Sequence, residues 1–207
     1  MPQLIAMVIV VVGAMIYMFQ TFGGTGDKIE GVAQKTSIVT EINNIKGGLK
    51  LAAKTGHVTT SSTLKTLGAL SYFDEQINTQ LKDNNSDNAN NYFPISFGGT
   101  TDAANPAMTI SLVDNIKGAI PGIYVEFAGS LATNAGFLEA QIATDLKDVA
   151  IIDRVATGKK ALTLQTGDDL TALEKRTPQL GTETDTNKTD GKFIIYYKDF
   201  SSAEIVK

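Results

Sequence analysis

The 207-residue chain has no cysteine, a single histidine and no charged side chain before Asp27. Without cysteine it forms no disulfide and offers neither a thiol nucleophile nor a zinc–thiolate centre. The lone histidine, His57, has no second imidazole or thiol to share a transition metal with, and is expected on the surface in its Lys-Thr-Gly-His turn. Positive charge is also short. Lys and Arg number 18 against 22 Asp and Glu, a net charge of −4, the wrong sign for a protein that must neutralise phosphates, so no nucleic-acid partner is expected.

The fingerprints of common enzymes are missing as well. There is no Gly-x-Ser-x-Gly, no phosphate-binding loop and no dinucleotide-binding glycine pattern, and the expected class is non-enzymatic. Asp83, Asn85 and Asp87 have the first spacings of a calcium loop, but no glycine follows Asp87 and Pro94 stands where the twelfth-place glutamate belongs. That stretch reads as a plain polar loop. Asp153 beside Arg154, and Asp168 with Asp169, read as exposed turns, and no metal or cofactor is expected. Asn84 and Asn187 each open an Asn-x-Ser/Thr glycan sequon.

What is present is concentrated at the start. From Leu4 to Phe19 every residue is apolar except Gly13. No Lys or Arg precedes this run and no small-x-small cleavage site follows it, which argues against a secretory signal peptide. Pro2 suits the first turn of a helix, where its missing N–H costs nothing. A helix apolar on all sides must be covered by lipid or by protein, and with its uncharged flanks the segment is long enough for a tilted membrane span. Tyr17, Phe19 and Phe22 cluster at its far end, as an interfacial aromatic belt or as bundle packing. Gly23, Gly24 and Gly26 follow in "GGTG", each costing about 0.8–1 kcal/mol against alanine in a helix, so the helix is expected to break there. An amphipathic pattern then resumes, with Ile29, Val32, Val39, Ile42, Ile45 and Leu49 on one face and Thr55–Gly56 as its stop.

Beyond residue 56 the pattern changes. "LKTLGALSYFDEQINTQL" holds a short helix, and "GFLEAQIATDLKDVAIID" reads as a helix with Phe137, Leu138, Ile142, Leu146 and Val149 as its buried stripe. Strands are expected in "YFPISFG", which Pro94 makes an edge or broken strand, and in "AMTISLV", "GIYVEFAG", "KALTLQT" and "KFIIYYKDF". The expected class is α+β: a long N-terminal α-helix, with an apolar half, a glycine break and an amphipathic half, packed on a C-terminal antiparallel β-sheet head. The expected divisions are residues 1–26 (apolar helix and break), 27–56 (amphipathic helix) and 57–207 (globular head).

In this order of parts the chain resembles a mature type IV pilin of the larger, IVb-like class. The resemblance rests on "LIAMVIVVVGAMIY", the break near Gly23, "TSIVTEINNIKGGLKLAAKTG" and the loop "NYFPISFGG". It implies the major structural subunit of an extracellular type IV pilus-like filament, a homo-oligomer of identical subunits. Leu4, Ile5, Met7, Val8, Val11, Val12, Met15, Ile16 and Phe19 would pack the filament core, with Gly23, Gly24 and Gly26 as the helix break. It further implies an inner-membrane precursor pool, partnership with pilus assembly machinery, and a leader clipped to leave Met1 as a processed, methylated end. Such pilins usually carry a fifth-position glutamate that pairs with a neighbour's terminal amine. Here that position is Ile5, and Gln3 is the one nearby acceptor. The family's C-terminal disulfide is ruled out, leaving packing and sheet hydrogen bonds to hold "KFIIYYKDF". A minor pilin or pseudopilin of a secretion or uptake machine, and a single-pass membrane-anchored binding domain, are the alternative readings.

Burying the sixteen residues of the apolar run at about 1.5–3 kcal/mol each amounts to roughly 25–45 kcal/mol gross, an upper bound. Ordering and association costs remove much of it, but a fraction repeated along an open helical array makes a polymer that hardly dissociates.

Overall fold

The amphipathic helix ends as its sequence dictates. In the computed structural model, which describes residues 33–83, 90–101, 103–156, 158, 173–182 and 188–207, the helix α1 is seen over 33–54. Gly56 adopts a left-handed φ of 78°. The chain reverses there through paired bonds from Gly56 N–H to the Ala53 carbonyl (3.0 Å) and from His57 N–H to the Ala52 carbonyl (2.9 Å), the Schellman arrangement that glycine allows. Two short helices follow, α2 (Leu64–Ala69) and α3 (Glu75–Asp83). Thr63 caps α2 reciprocally with Thr66, at 3.3 and 2.9 Å.

Among the described residues the sheet has five antiparallel strands in the order β1-β2-β3-β5-β4. They are β1 (Asn91–Tyr92), β2 (Met108–Leu112), β3 (Ile123–Phe127), β4 (Ala150–Asp153) and β5 (Lys192–Tyr197). The last strand of the chain therefore lies inside the sheet, between β3 and β4. Register pairs Met108 with Phe127, Ile110 with Val125 and Leu112 with Ile123, so the two alternating triplets share one face. Tyr92 and Tyr197, also on that face, hydrogen-bond to Glu41 and Asn43 of α1. Ser111, Tyr124, Ile194 and Tyr196, on the other face, are buried too.

Between β3 and β4 run α4 (Gly129–Ala132) and α5 (Ala135–Leu146), and α6 (Leu173–Arg176) lies between β4 and β5. The helix expected from Gly136 to Asp153 is thus about two-thirds of the length read from sequence. It stops at Leu146, turns through a Val149 N–H bond to the Leu146 carbonyl (3.0 Å), and continues as β4. The β-branched Ile151 and Ile152 suit the pleated ladder better than a last helical turn. Leu138, Ile142 and Leu146 are buried as expected, but Phe137 is 44% and Val149 49% exposed. "YFPISFG" also departs from expectation: only Asn91–Tyr92 pairs, because Pro94 brings no N–H to a ladder, and Ile95–Phe97 coil into a 3-10 turn. The expected strand "KALTLQT" and both sequons' asparagines, Asn84 and Asn187, lie outside the described residues.

Without a disulfide, the C-terminal segment is held by backbone bonds. Lys207 N–H donates to the Val58 carbonyl, Val206 N–H to the Ala119 carbonyl and Gly118 N–H to the Val206 carbonyl, each at 2.9 Å. Arg176 adds a guanidinium bond to the Phe200 carbonyl at 3.2 Å.

Candidate self-assembly surface

The helix α1 is divided lengthwise into three stripes. Its inner stripe, Ile38, Ile42, Ile45, Leu49, Ala52 and Ala53, is fully buried, at the three- and four-residue steps that place side chains on one face. Ile42, Ile45 and Leu49 fall where the sequence pattern put them, and Val39 lies at the margin, half-buried. Ile38, one turn before Ile42, and the two alanines were missed although they continue the same period.

The flanks carry the charges, and the head occupies them. Lys35 Nζ meets the Asp145 carboxylate at 2.6 Å. Glu41 accepts from the Tyr92 hydroxyl (3.0 Å) and from Ser96 Oγ (2.7 Å). Lys46 and Lys50 both reach Asp199 Oδ2 at 3.0 Å, and Lys50 also donates to the Asp199 carbonyl at 2.7 Å. The Lys46 ammonium lies 4.2 Å from the centre of the Tyr197 ring, within cation–π range. Partial burial works to raise the Asp199 carboxyl, but hydrogen bonds from Lys50 and Lys46 and their charges outweigh it and hold it below the usual carboxylate range. Burial, then the adjoining Glu41 carboxylate, pushes the Tyr92 phenol upward.

The outer stripe consists of Ala33, Thr36, Ser37, Thr40, Asn44, Gly47 and Leu51, all exposed. It carries no charge until Lys54. Gly47 and Gly48 sit side by side yet face opposite environments. A methyl group on Gly48 would lie 2.3 Å from Phe73 Cδ1 and 2.5 Å from the Tyr72 carbonyl oxygen, so the 72–73 segment approaches α1 through that gap. A methyl group on Gly47 would meet nothing within 4 Å. Gly48 has a packing reason inside the head; Gly47 has none, and costs the helix about 1 kcal/mol.

The residues named from sequence for filament packing, Leu4, Ile5, Met7, Val8, Val11, Val12, Met15, Ile16 and Phe19, the glycines Gly23, Gly24 and Gly26, and Met1 lie outside the described residues. Among the described residues no helix is long and apolar enough to cross a membrane. His57 is exposed, as expected, but not isolated: its Nδ1 lies 3.0 Å from Thr55 Oγ1 and is hydrogen-bonded to the Tyr72 hydroxyl.

Away from α1, one buried ion pair orders the turn before β5. Glu139 is 1% exposed, accepting from Arg154 Nε at 2.8 Å and from the Gly191 N–H at 3.0 Å. Burial raises its carboxyl, and the Arg154 hydrogen bond counters only part of that. Asp153 is likewise buried, its carboxylate accepting from the Val155 N–H at 3.0 Å. The Asp153–Arg154 pair read as an exposed turn is therefore structural: the sequence shows adjacent opposite charges but not that α5 folds back to meet them.

Comparison of the chain with protein families, with curated proteins and with solved structures found no match.

Proposed function

We propose that this chain is the structural subunit of an extracellular, pilus-like filament that assembles by lateral packing of its N-terminal helices. The observation that carries the reading is the uncharged outer stripe of α1 on a helix whose sequence continues back into a 26-residue segment without charge. An exposed helix face ordinarily carries Lys and Glu. Here four of the five charged residues of 33–54 are turned onto the head, and the outer stripe holds mostly small side chains, the exposed Leu51 and one glycine with no internal use. Both features suit close approach by another helix.

In this reading the run from Leu4 to Phe19 exchanges lipid for identical neighbours during assembly. The glycines at 23, 24 and 26 let the helix extend, each residue reaching toward about 3.3 Å of rise instead of 1.5 Å. The subunit waits in the inner membrane and ends on the cell surface, with Met1 as the processed, methylated end.

Electron microscopy of sheared cell-surface material, with antibodies to the head, tests the proposal. Uniform fibres that carry this chain are expected, and so is a methylated Met1 in the N-terminal peptide mass from those fibres. Gly47→Gln should leave the head folded yet cut fibre yield about tenfold, since 1.4 kcal/mol lost per contact is a factor of ten in association. Solitary molecules that stay in the membrane under all growth conditions would refute the reading.

A further inference from the structure

A second surface offers chemistry that a filament contact does not use. Beside α2 lies a half-enclosed cavity of about 270 Å³, space for roughly nine waters at ~30 Å³ each. Among the described residues its walls come from the hydroxyl run Thr60, Ser61, Ser62 and Thr63, from Asp114 with Asn115, and from Asn90. Leu112 and Val113 supply an apolar floor.

The wall is built before any ligand arrives. Ser62 Oγ accepts from the Thr59 N–H (2.9 Å) and donates to the His57 carbonyl (3.0 Å). Asn115 Nδ2 ties the two loops by donating to the Ser62 carbonyl at 3.1 Å. Its amide oxygen, shielded within the wall, has no donor among the described residues, at a cost of about 1–3 kcal/mol until one is supplied. To accept from a ligand hydroxyl the amide must turn and exchange its 3.1 Å bond to the Ser62 carbonyl for one to the ligand. Among the described residues no cation lines the cavity, which disfavours an anion. Among the described lining residues the one carboxylate, Asp114, falls short of the several oxygen ligands a divalent cation demands. Hydroxyl and amide groups, each able to give and take hydrogen bonds, around a small apolar floor, match a ring that bears several hydroxyls on one side and C–H groups on the other.

We infer that this cavity binds one neutral saccharide unit, with Asp114 and Asn115 accepting from its hydroxyls and its C–H face over Leu112 and Val113. This goes beyond the filament reading and does not depend on it, because binding is measured on the unassembled chain. The test is an NMR titration of the full, isotope-labelled chain in a detergent without sugar headgroups, using glucose, galactose, N-acetylglucosamine and their methyl glycosides as probes. The expected result is a saturable set of amide shifts confined to Ser61, Thr63, Asp114 and Asn115, with Kd on the order of 1 mM. Asp114→Ala, with an otherwise unchanged spectrum, should weaken binding at least about tenfold, and Asn115→Ala should do the same while also shifting the amides around Ser62, whose carbonyl it holds. Equal binding of the methyl glycosides assigns the end residue of a glycan, and binding of the reducing sugars alone assigns a free monosaccharide. Absence of saturable shifts with every sugar, shifts that survive both substitutions, or the same shifts produced by calcium chloride alone would overturn the inference.

Discussion

Replacing Gly48 by alanine and replacing Gly47 by alanine are the same chemical change one residue apart, and they should move stability in opposite directions. At Gly48 the new methyl group would overlap Phe73 Cδ1 at 2.3 Å and Cε1 at 2.7 Å, and the Tyr72 carbonyl oxygen at 2.5 Å. A ring can turn, but the carbonyl belongs to the backbone, so the 72–73 segment must retreat from α1. Overpacking of this kind costs typically 1–3 kcal/mol, and backbone overlap places it near ~3. Alanine returns about 1 kcal/mol of helix propensity, leaving a net loss of roughly 2 kcal/mol. At Gly47 nothing lies within 4 Å, so the propensity gain of ~1 kcal/mol stands alone. At about 2–4 °C per kcal/mol for a chain of this size, Gly48→Ala should lower Tm by about 4–8 °C and Gly47→Ala should raise it by about 2–4 °C. Urea titrations should give shifted midpoints with unchanged m-values, the mark of a change in stability alone. A Gly48→Ala variant as stable as the parent, or a destabilised Gly47→Ala variant, would refute the placement of the two glycines on opposite faces.

Three further outcomes follow from the charged and phenolic groups. Glu139→Ala strands the Arg154 guanidinium and should cost about 3 kcal/mol, with accelerated amide exchange at Gly191, where Glu139 accepts a bond; unchanged exchange there would count against the latch. Asp199 has a lowered folded pKa, so its stabilisation is present above the unfolded carboxylate value near 4 and fades as pH falls through the folded one. Asp199→Asn should therefore flatten the acid limb of the stability curve, and an unaltered limb would argue against the Lys46–Lys50 clamp. Burial raises the phenols of Tyr92, Tyr124, Tyr196 and Tyr197. Their contribution holds below the unfolded value near 10 and is lost as alkali drives ionisation, so absorbance at 295 nm should rise for these four together with unfolding rather than before it.

Periodicity was enough to read α1, its stop at Gly56 and the two strands with clear alternation, β2 and β3. Each is set by local rules: a three-to-four step, a glycine able to take positive φ, or side chains alternating across a pleat. It failed where two local rules compete. In "GFLEAQIATDLKDVAIID" the helical step persists through Val149, and only the availability of Tyr196 and Ile194 as ladder partners turns Ile151 and Asp153 into a strand. Proline at 94 predicted a damaged strand, but not that the chain would coil immediately after it.

What the amino-acid order determined alone is therefore the segment-level character of the protein: an uncharged apolar beginning, a glycine-rich stretch after it, an amphipathic helix and an antiparallel α+β fold without disulfides. Which residues of that helix face outward, why one of two adjacent glycines is packed against the head and the other is not, and how Thr60 and Asp114 come to share a cavity were decided only in three dimensions. Those facts depend on contacts between residues tens to more than a hundred positions apart, such as Lys50 with Asp199 and Asn115 with Ser62. No local energy in the chain encodes them; they exist because folding the sheet onto α1 buries the apolar stripes of both at once.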